Sequence, residues 1–229
     1  MEAHVDRFYL LTTVNTVKTQ TIAYTYDNNG SQLTSVITPY TNGIAGTTQT
    51  TTNIYDELNQ LTQTITSDGN SIVNTYNREG VRVAKANNGV IIRYLYEGDK
   101  VILELDGSGA VIAKNIYGTN LIARTAEGIK GYYLYKGHAD VTGITAEDGD
   151  TILVTYYYDE FGNLIGSTGI FNNSNTYAGY QYDSETKTYY LMARMYDPET
   201  ARFLQEDSYR GDPNDPLSLN LYTYCHNNK

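Results

Sequence analysis

Cysteine occurs once in this 229-residue chain and tryptophan not at all, with 4 prolines, 4 phenylalanines, 3 methionines and 3 histidines. The single thiol, Cys225, excludes an intrachain disulfide. No run of about 18 apolar residues is present, which excludes a membrane-spanning helix. Positive charge is scarce: 16 Lys and Arg stand against 26 Asp and Glu, a net charge of −10. A nucleic-acid partner needs a basic face, so none is expected. His4, His138 and His226 are far apart and have no carboxylates at ligand spacing, so neither a metal nor another cofactor is expected. The opening stretch carries Glu2 and Asp6 where a secretory signal has lysines, and its apolar run is short. The expectation is a chain without a classical signal peptide, or a piece of a longer protein.

What the sequence has in excess is tyrosine, 24 residues, followed by glycine, 20 residues. Tyrosine suits strands, and a buried phenol needs a polar partner. The tyrosines recur in a phrase, Tyr-x-Tyr-Asp-x-x-Gly-x-Leu. It is clearest at Tyr24–Leu33 and Tyr156–Leu164, and looser around Tyr55, Tyr76, Tyr96, Tyr117, Tyr135 and Tyr182. The period is roughly 20 residues, the length of one β-hairpin. Tyrosines two apart share a strand face. The Asp or Asn after them can bond its own backbone and start a turn, and the Gly that follows supplies a positive φ. Asn59 stands where the phrase has Gly. Val81-Arg82-Val83, Val90-Ile91-Ile92 and Ala110-Val111-Ile112 read as return strands with alternating faces. Tyr26, Tyr96, Tyr158 and Tyr182 are expected on the concave side of a curved sheet, with hydroxyls bonded. The Thr-rich stretch 41–52 reads as an exposed strand pair. The one short helix expected lies at Pro198 to Gln205, where Pro fits a first turn.

The array changes character at its end. Tyr189 to Asn228 holds Pro198, Pro213 and Pro216 and a dense mix of Arg and Asp. A repeat array ends in an atypical unit, because its last face has no neighbour to cover it. The expected division is 1–188 as hairpin array and 189–229 as closing unit. The wording of this unit, Tyr196-Asp197-Pro198 through Arg202-Phe203-Leu204 to Asp207, then Asn220-Leu221-Tyr222 and Asn227-Asn228, resembles the core segment of Rhs/YD-repeat proteins. The resemblance implies an all-β fold: a curved antiparallel strip of hairpins, part of a long hollow shell, with the core segment as plug. It implies a structural role, enclosing or displaying a C-terminal toxin or effector in a bacterial polymorphic-toxin or wall-associated protein. The partners would be upstream repeats and a downstream effector of the same parent, secreted or at the cell surface.

The core-motif residues are Tyr196, Asp197, Pro198, Arg202, Phe203, Asn220 and Tyr222. Arg202 is expected buried and paired with Asp197 or Asp207, with Phe203 as anchor. Ala201 stands where the family has Gly before Arg202, which bears on how tight the turn is. Asp207 is the one candidate for chemistry. The resemblance implies that core acids serve aspartate-type self-cleavage, with one carboxyl protonated and one ionised. Lys229 stands where the family has Pro before its cleavage segment, so cleavage is expected of a parent protein rather than of this chain. Cys225 and His226 are strand neighbours that point to opposite faces and cannot act as nucleophile and base. Glu147-Asp148-Gly149-Asp150 and Asp212–Pro216 read as solvated acidic turns, lacking a calcium-loop spacing. Two other readings remain: a glycan-binding module with exposed tyrosines, and edge-paired self-association through an uncovered first strand.

Overall fold

The computed structural model describes residues 17–224. His4, Cys225, His226, Asn227, Asn228 and Lys229 lie outside the described residues. Nearly every element is a strand. A 15-stranded antiparallel sheet follows chain order from β1 (Lys18–Tyr26) through β2 (Gln32–Thr41) and β4 (Gln49–Tyr55) to β15 (Leu164–Gly169), with β3 (Ile44–Ala45) paired only to β2. A second, 4-stranded sheet comprises β16 (Gln181–Asp183), β17 (Thr188–Leu191), β18 (Arg194–Asp197) and β19 (Arg202–Phe203). The fold is all-β: an open, curved strip of hairpins with a small closing sheet.

The repeat phrase builds each hairpin in the same way. Asp27 Oδ1 accepts the N–H groups of Asn29 and Ser31, Asp56 those of Leu58 and Gln60, Asn77 those of Glu79 and Val81, and Asp159 those of Phe161 and Asn163. Three residues after the Asp or Asn the backbone is left-handed, supplied by Gly30, Gly80, Gly162 and Asn59 (φ 62°); Ala139 (φ 63°) does the same three residues after Lys136. Asn59 therefore keeps the turn that Gly makes elsewhere; its short polar side chain tolerates the left-handed region.

In the strip, the repeat tyrosine just before each turn Asp, Asn or its counterpart sits at a register shift. Tyr26 faces Gln32, Tyr55 faces Leu61, Tyr76 faces Arg82, Tyr96 faces Val101, Tyr117 faces Leu121, Tyr135 faces Val141 and Tyr158 faces Leu164. Such a bulge twists the strand and takes one residue out of pairing. The carbonyl of the residue facing one tyrosine is the acceptor for the next. The hydroxyl of Tyr55 donates to Gln32 O (2.9 Å), Tyr76 to Leu61 O (2.8 Å), Tyr96 to Arg82 O (2.8 Å), Tyr135 to Leu121 O (2.7 Å) and Tyr158 to Val141 O (3.0 Å). Asn53, Asn74 and Asn115, two residues before Tyr55, Tyr76 and Tyr117, donate to the Gln32, Leu61 and Val101 carbonyls. The tyrosine excess is thus a ladder that staples each hairpin to the one before it. Each rung contributes about 1 kcal/mol net.

Tyr26 begins the described ladder, and its side chain is 54% exposed, whereas Tyr96 and Tyr158 are half-buried. The structure corrects several expectations. Arg82 is fully buried while Val81 and Val83 are only half-buried, so the charged residue of that run points inward. Val90 and Val111 open β8 (Val90–Glu97) and β10 (Val111–Tyr117), which return antiparallel to the strands before them and then lead up to Tyr96 and Tyr117. No helix forms at Pro198 to Gln205. Residues 198–201 turn and β19 follows, because Met195 and Gln205 hold the chain in extended pairing: Met195 N donates to Gln205 Oε1 (2.9 Å) and Leu204 N to Met195 O (2.8 Å). Stretch 41–52 contains β3 and the start of β4, largely exposed.

Candidate functional site at the closing sheet

The closing sheet has both faces covered. Tyr190, Met195 and Leu204 pack with Leu61 of the strip. Tyr189, Tyr196 and Phe203 pack with Tyr177, and Tyr158, Tyr182 and Tyr224 join their edge. Tyr189 and Tyr196 are buried almost completely (0% and 1% exposed), because each phenol has an acceptor. Three consecutive carbonyls of the last hairpin turn are taken by tyrosines: Glu160 O by Tyr177, just before the closing sheet, and Phe161 O by Tyr196 and Gly162 O by Tyr189 within it. A Cβ on Gly162 would lie 2.6 Å from the Tyr177 ring, so this turn needs glycine for approach as well as for φ.

Other corners of the strip dock on the same unit. Gln32 N donates to Leu204 O (2.9 Å), and Tyr222 hydroxyl to Asn29 O. Arg82 N donates to the Tyr190 hydroxyl (2.7 Å). Asp140, 1% exposed, accepts Ala178 N (2.9 Å), Lys136 Nζ (3.0 Å) and His138 Nδ1 (3.0 Å). Asn163 Nδ2 donates to Pro198 O (2.9 Å). The first and last described hairpin corners therefore meet one closing unit, which requires the strip to bend around it. A polar cavity of about 770 Å³ remains between β2, β4, β5 (Leu61–Thr66) and the closing unit, lined by Thr50, Thr64, Glu185 and Asp197 among others.

Charge is concentrated where strip and closing sheet meet. Arg82 NH1 lies 2.5 Å from Asp183 Oδ2, and Arg82 NH2 donates to Gln181 Oε1 (3.1 Å). Lys85 Nζ lies 2.9 Å from Asp183 Oδ1 and 3.2 Å from Glu185 Oε2. The guanidinium also stacks over the Tyr190 ring, 4.3 Å from its centroid. Burial pushes the Asp183 carboxyl up, but Arg82 and then Lys85 reverse this and hold it below the usual carboxylate range. Asp183 is thus a carboxylate sealed between two cations. A second buried pair, Arg124 with Glu104 (2.6 Å), lies wholly within the strip, and Arg124 Nε donates to Asn172 O.

The core-motif residues are brought together in part. Tyr196, Pro198 and Phe203 are buried. Asp197 Oδ1 accepts Glu199 N and its Oδ2 accepts Thr200 Oγ1, so it caps the turn; burial pushes its carboxyl up, opposed by the Thr200 bond. Ala201 holds φ 56°, so the tight turn persists without glycine. Arg202 is exposed, and among the described residues it forms no ion pair. Its place is taken by Arg194, whose NH2 lies 2.7 Å from Asp207 Oδ2 and whose guanidinium stacks 3.6 Å from the Phe203 centroid. β19 alternates, and Phe203 takes the inward position, so Arg202 must face out. Arg194 also donates to Leu221 O (3.0 Å), which Asp207 N reaches at 2.9 Å. Asn220 is exposed and caps its own turn by accepting Tyr222 N. Asp148 and Asp212 likewise cap exposed turns. Among the described residues no group of His, Cys, Asp and Glu is placed to hold a metal ion.

Sequence reasoning missed Arg82, Lys85, Asp183, Glu104 and Arg124. The available signal was phase. Arg82 and Arg124 occupy inward positions, shared with Asn74 and Asn115 on neighbouring strands: Arg82 NH1 donates to Asn74 Oδ1 and Arg124 NH1 to Asn115 Oδ1.

An antiparallel strip of hairpins, stapled by a tyrosine ladder and bent around a small closing sheet, defines a β-shell segment. No family model matches the chain. It is 40% identical over 160 residues to the tRNA3(Ser)-specific nuclease WapA of Bacillus spizizenii, and 37% identical over 160 residues to the tRNA nuclease WapA of Bacillus subtilis. Each match covers 67% of this chain, and the chain spans 7% of the length of these relatives. The fold superposes on the TcdB2-TccC3-Cdc42 crystal structure with a TM-score of 0.63 at 17% identity, over 91% of this chain and 13% of that one. On TcdB2-TccC3 without its hypervariable C-terminal region the TM-score is 0.62 at 16% identity, over 90% and 13%. The chain belongs to the Rhs/YD-repeat proteins.

Proposed function

We propose that this segment closes one end of a shell that encloses or displays a C-terminal toxin or effector, in a secreted or surface-located bacterial protein. The observation that supports this reading is the docking of both the first and the last described hairpin corners on one closing unit. Residues 189–229 act as the plug, and upstream repeats extend the strip beyond β1. The nuclease activity named for the WapA relatives belongs, on this reading, to a part of such proteins outside this segment, whose net charge of −10 disfavours RNA. The test is protease protection of the downstream chain in the full-length parent. It should survive in the parent and be lost when residues 189–224 are replaced by a flexible linker. Equal digestion of both would refute enclosure.

A second reading concerns Asp207. An aspartate-type pair needs one ionised and one protonated carboxyl. Asp207 is held at 2.7 Å by Arg194 of the closing sheet, which fixes its carboxyl in place. On this reading the parent cuts itself after the core segment, and Asp207→Asn leaves it uncut. A parent that is cut at the same rate with Asn at 207 refutes the role.

A further inference from the structure

The loop between Asp207 and Leu221 is built unlike the hairpin turns. Its ends are fixed to each other: Asp207 N donates to Leu221 O (2.9 Å), and Arg194 holds both, through the Asp207 carboxylate and the Leu221 carbonyl. Between them residues 208–220 are exposed, apart from half-buried Gly211 and Ser218. A compact surface loop with joined ends is often a functional element. The second half of this one is folded on itself. Asp212 N donates to Ser218 Oγ (2.7 Å) and Ser218 N to Asp215 O (3.0 Å), while Pro213 and Pro216 stiffen the path. The first half, Ser208 to Gly211, has no such bracing. Among the described residues neither the Arg210 carbonyl nor the Gly211 N–H makes a hydrogen bond.

Arg210 is the only basic residue of the loop, and its side chain is 71% exposed. It pairs with Glu206 (3.0 Å), and an exposed ion pair holds it weakly. An endoprotease takes its substrate as an extended segment, so it cuts where the chain leaves the fold at low cost. Other exposed cations sit in costlier places. Arg93, Lys114 and Arg202 lie within strands, and Arg78, Lys136 and Lys187 lie in tight turns closed by backbone hydrogen bonds. We propose that Arg210–Gly211 is a processing site for a trypsin-like endoprotease, and that the two sides stay docked after the cut. Such an enzyme receives the guanidinium on a carboxylate in its specificity pocket. Water completes the hydrolysis: the peptide C–N bond breaks, the water oxygen goes to the Arg210 carbonyl carbon and a proton to the Gly211 nitrogen. The site lies inside the core segment, ahead of Asn220, and makes no use of the Asp207 carboxyl. Beyond the cut, Tyr222 O accepts Phe203 N (2.9 Å), the Tyr222 hydroxyl donates to Asn29 O, and the Tyr224 ring lies 4.7 Å from that of Tyr196. Hydrolysis therefore breaks the chain but leaves these contacts in place. The inference is independent of the enclosing role.

Limited trypsin digestion of the intact chain tests it, read by intact mass and by size exclusion in native buffer. Among cuts within residues 17–224, the first should fall after Arg210, and fragment 211–229 should elute with the fragment that ends at Arg210. Arg210→Gln should slow the first cut in that range by about tenfold or more, because the remaining sites open only with strands or closed turns. A first cut elsewhere in that range, no cut in it, an unchanged rate in Arg210→Gln, or a fragment 211–229 that elutes apart would overturn the proposal.

Discussion

The strip and the closing sheet are made of the same residue types yet hold together differently. In the strip, every strand pairs with a neighbour in sequence, and the inward tyrosines bond a carbonyl one hairpin back. Its stability is local and repeated. The closing sheet has four short strands and draws its partners from afar: Asp183 reaches Arg82 and Lys85, Tyr189 reaches Gly162, and Leu204 reaches Gln32. A repeat can therefore lose a rung and remain a strip, but the closing sheet has no spare contacts of its own kind. The two also depend on opposite charge states. The ladder needs tyrosines that keep their protons, and the closing sheet needs a carboxylate that has lost its proton.

That contrast is sharpest at high pH. Burial pushes the Tyr55, Tyr76, Tyr96, Tyr135 and Tyr158 phenols well above their ordinary value, and Tyr117 up to about 12. The folded chain thus binds protons that the unfolded chain releases near pH 10. The stability from these groups is complete below pH 10 and is lost as pH rises through the folded values. Each such tyrosine lowers stability by about 1.4 kcal/mol per pH unit, so several together should unfold the strip within about two units above pH 10. Circular dichroism against pH checks this; a flat profile to pH 12 would separate the tyrosines from stability.

Acid acts on the other region. Asp183 is held below the usual carboxylate range, so its contribution is present above about pH 3.9, the unfolded value, and is lost as pH falls through the folded one. Asp183→Ala removes the carboxylate at any pH and leaves two buried cations facing each other. It should cost about 3–5 kcal/mol in urea unfolding, against near-neutrality for an exposed acid such as Glu57. Phe203→Ala, which empties an inward site and removes the platform under Arg194, should cost about 3 kcal/mol. Tyr76→Phe removes one rung and should cost about 1 kcal/mol. Arg202→Ala should stay within about 0.5 kcal/mol, since its side chain faces solvent. A cost above that would mean that Arg202, and not Arg194, anchors Asp207.

How far the residues announced this arrangement follows from the same contrast. Tyrosine phase, turn acids and left-handed glycines act within one hairpin, so Tyr24–Leu33 or Tyr156–Leu164 reveals its own geometry, whereas the closing sheet begins at Gln181, ahead of the stretch that carries the resemblance. The ion cluster joins Arg82 to Asp183 across 101 positions, and nothing local marks that pair. Val81-Arg82-Val83 alternates equally well with either face inward. Only the bulge at Tyr76, which resets the register, decides for Arg82. The motif led to Arg202 as the partner of Asp197 or Asp207, but strand phase around Phe203 turns Arg202 outward and Arg194 meets Asp207.

The central claim is that strip and closing sheet form one cooperative body joined through Arg82 and Asp183. Native-state hydrogen exchange of the parent chain and of Asp183→Ala measures this directly. The expected result is a common loss of protection at Met195 and Leu204 in the closing sheet and at strand amides of β4 to β14 (Ile152–Tyr158) in the strip. Loss confined to β16–β19, with the strip as protected as before, would contradict it.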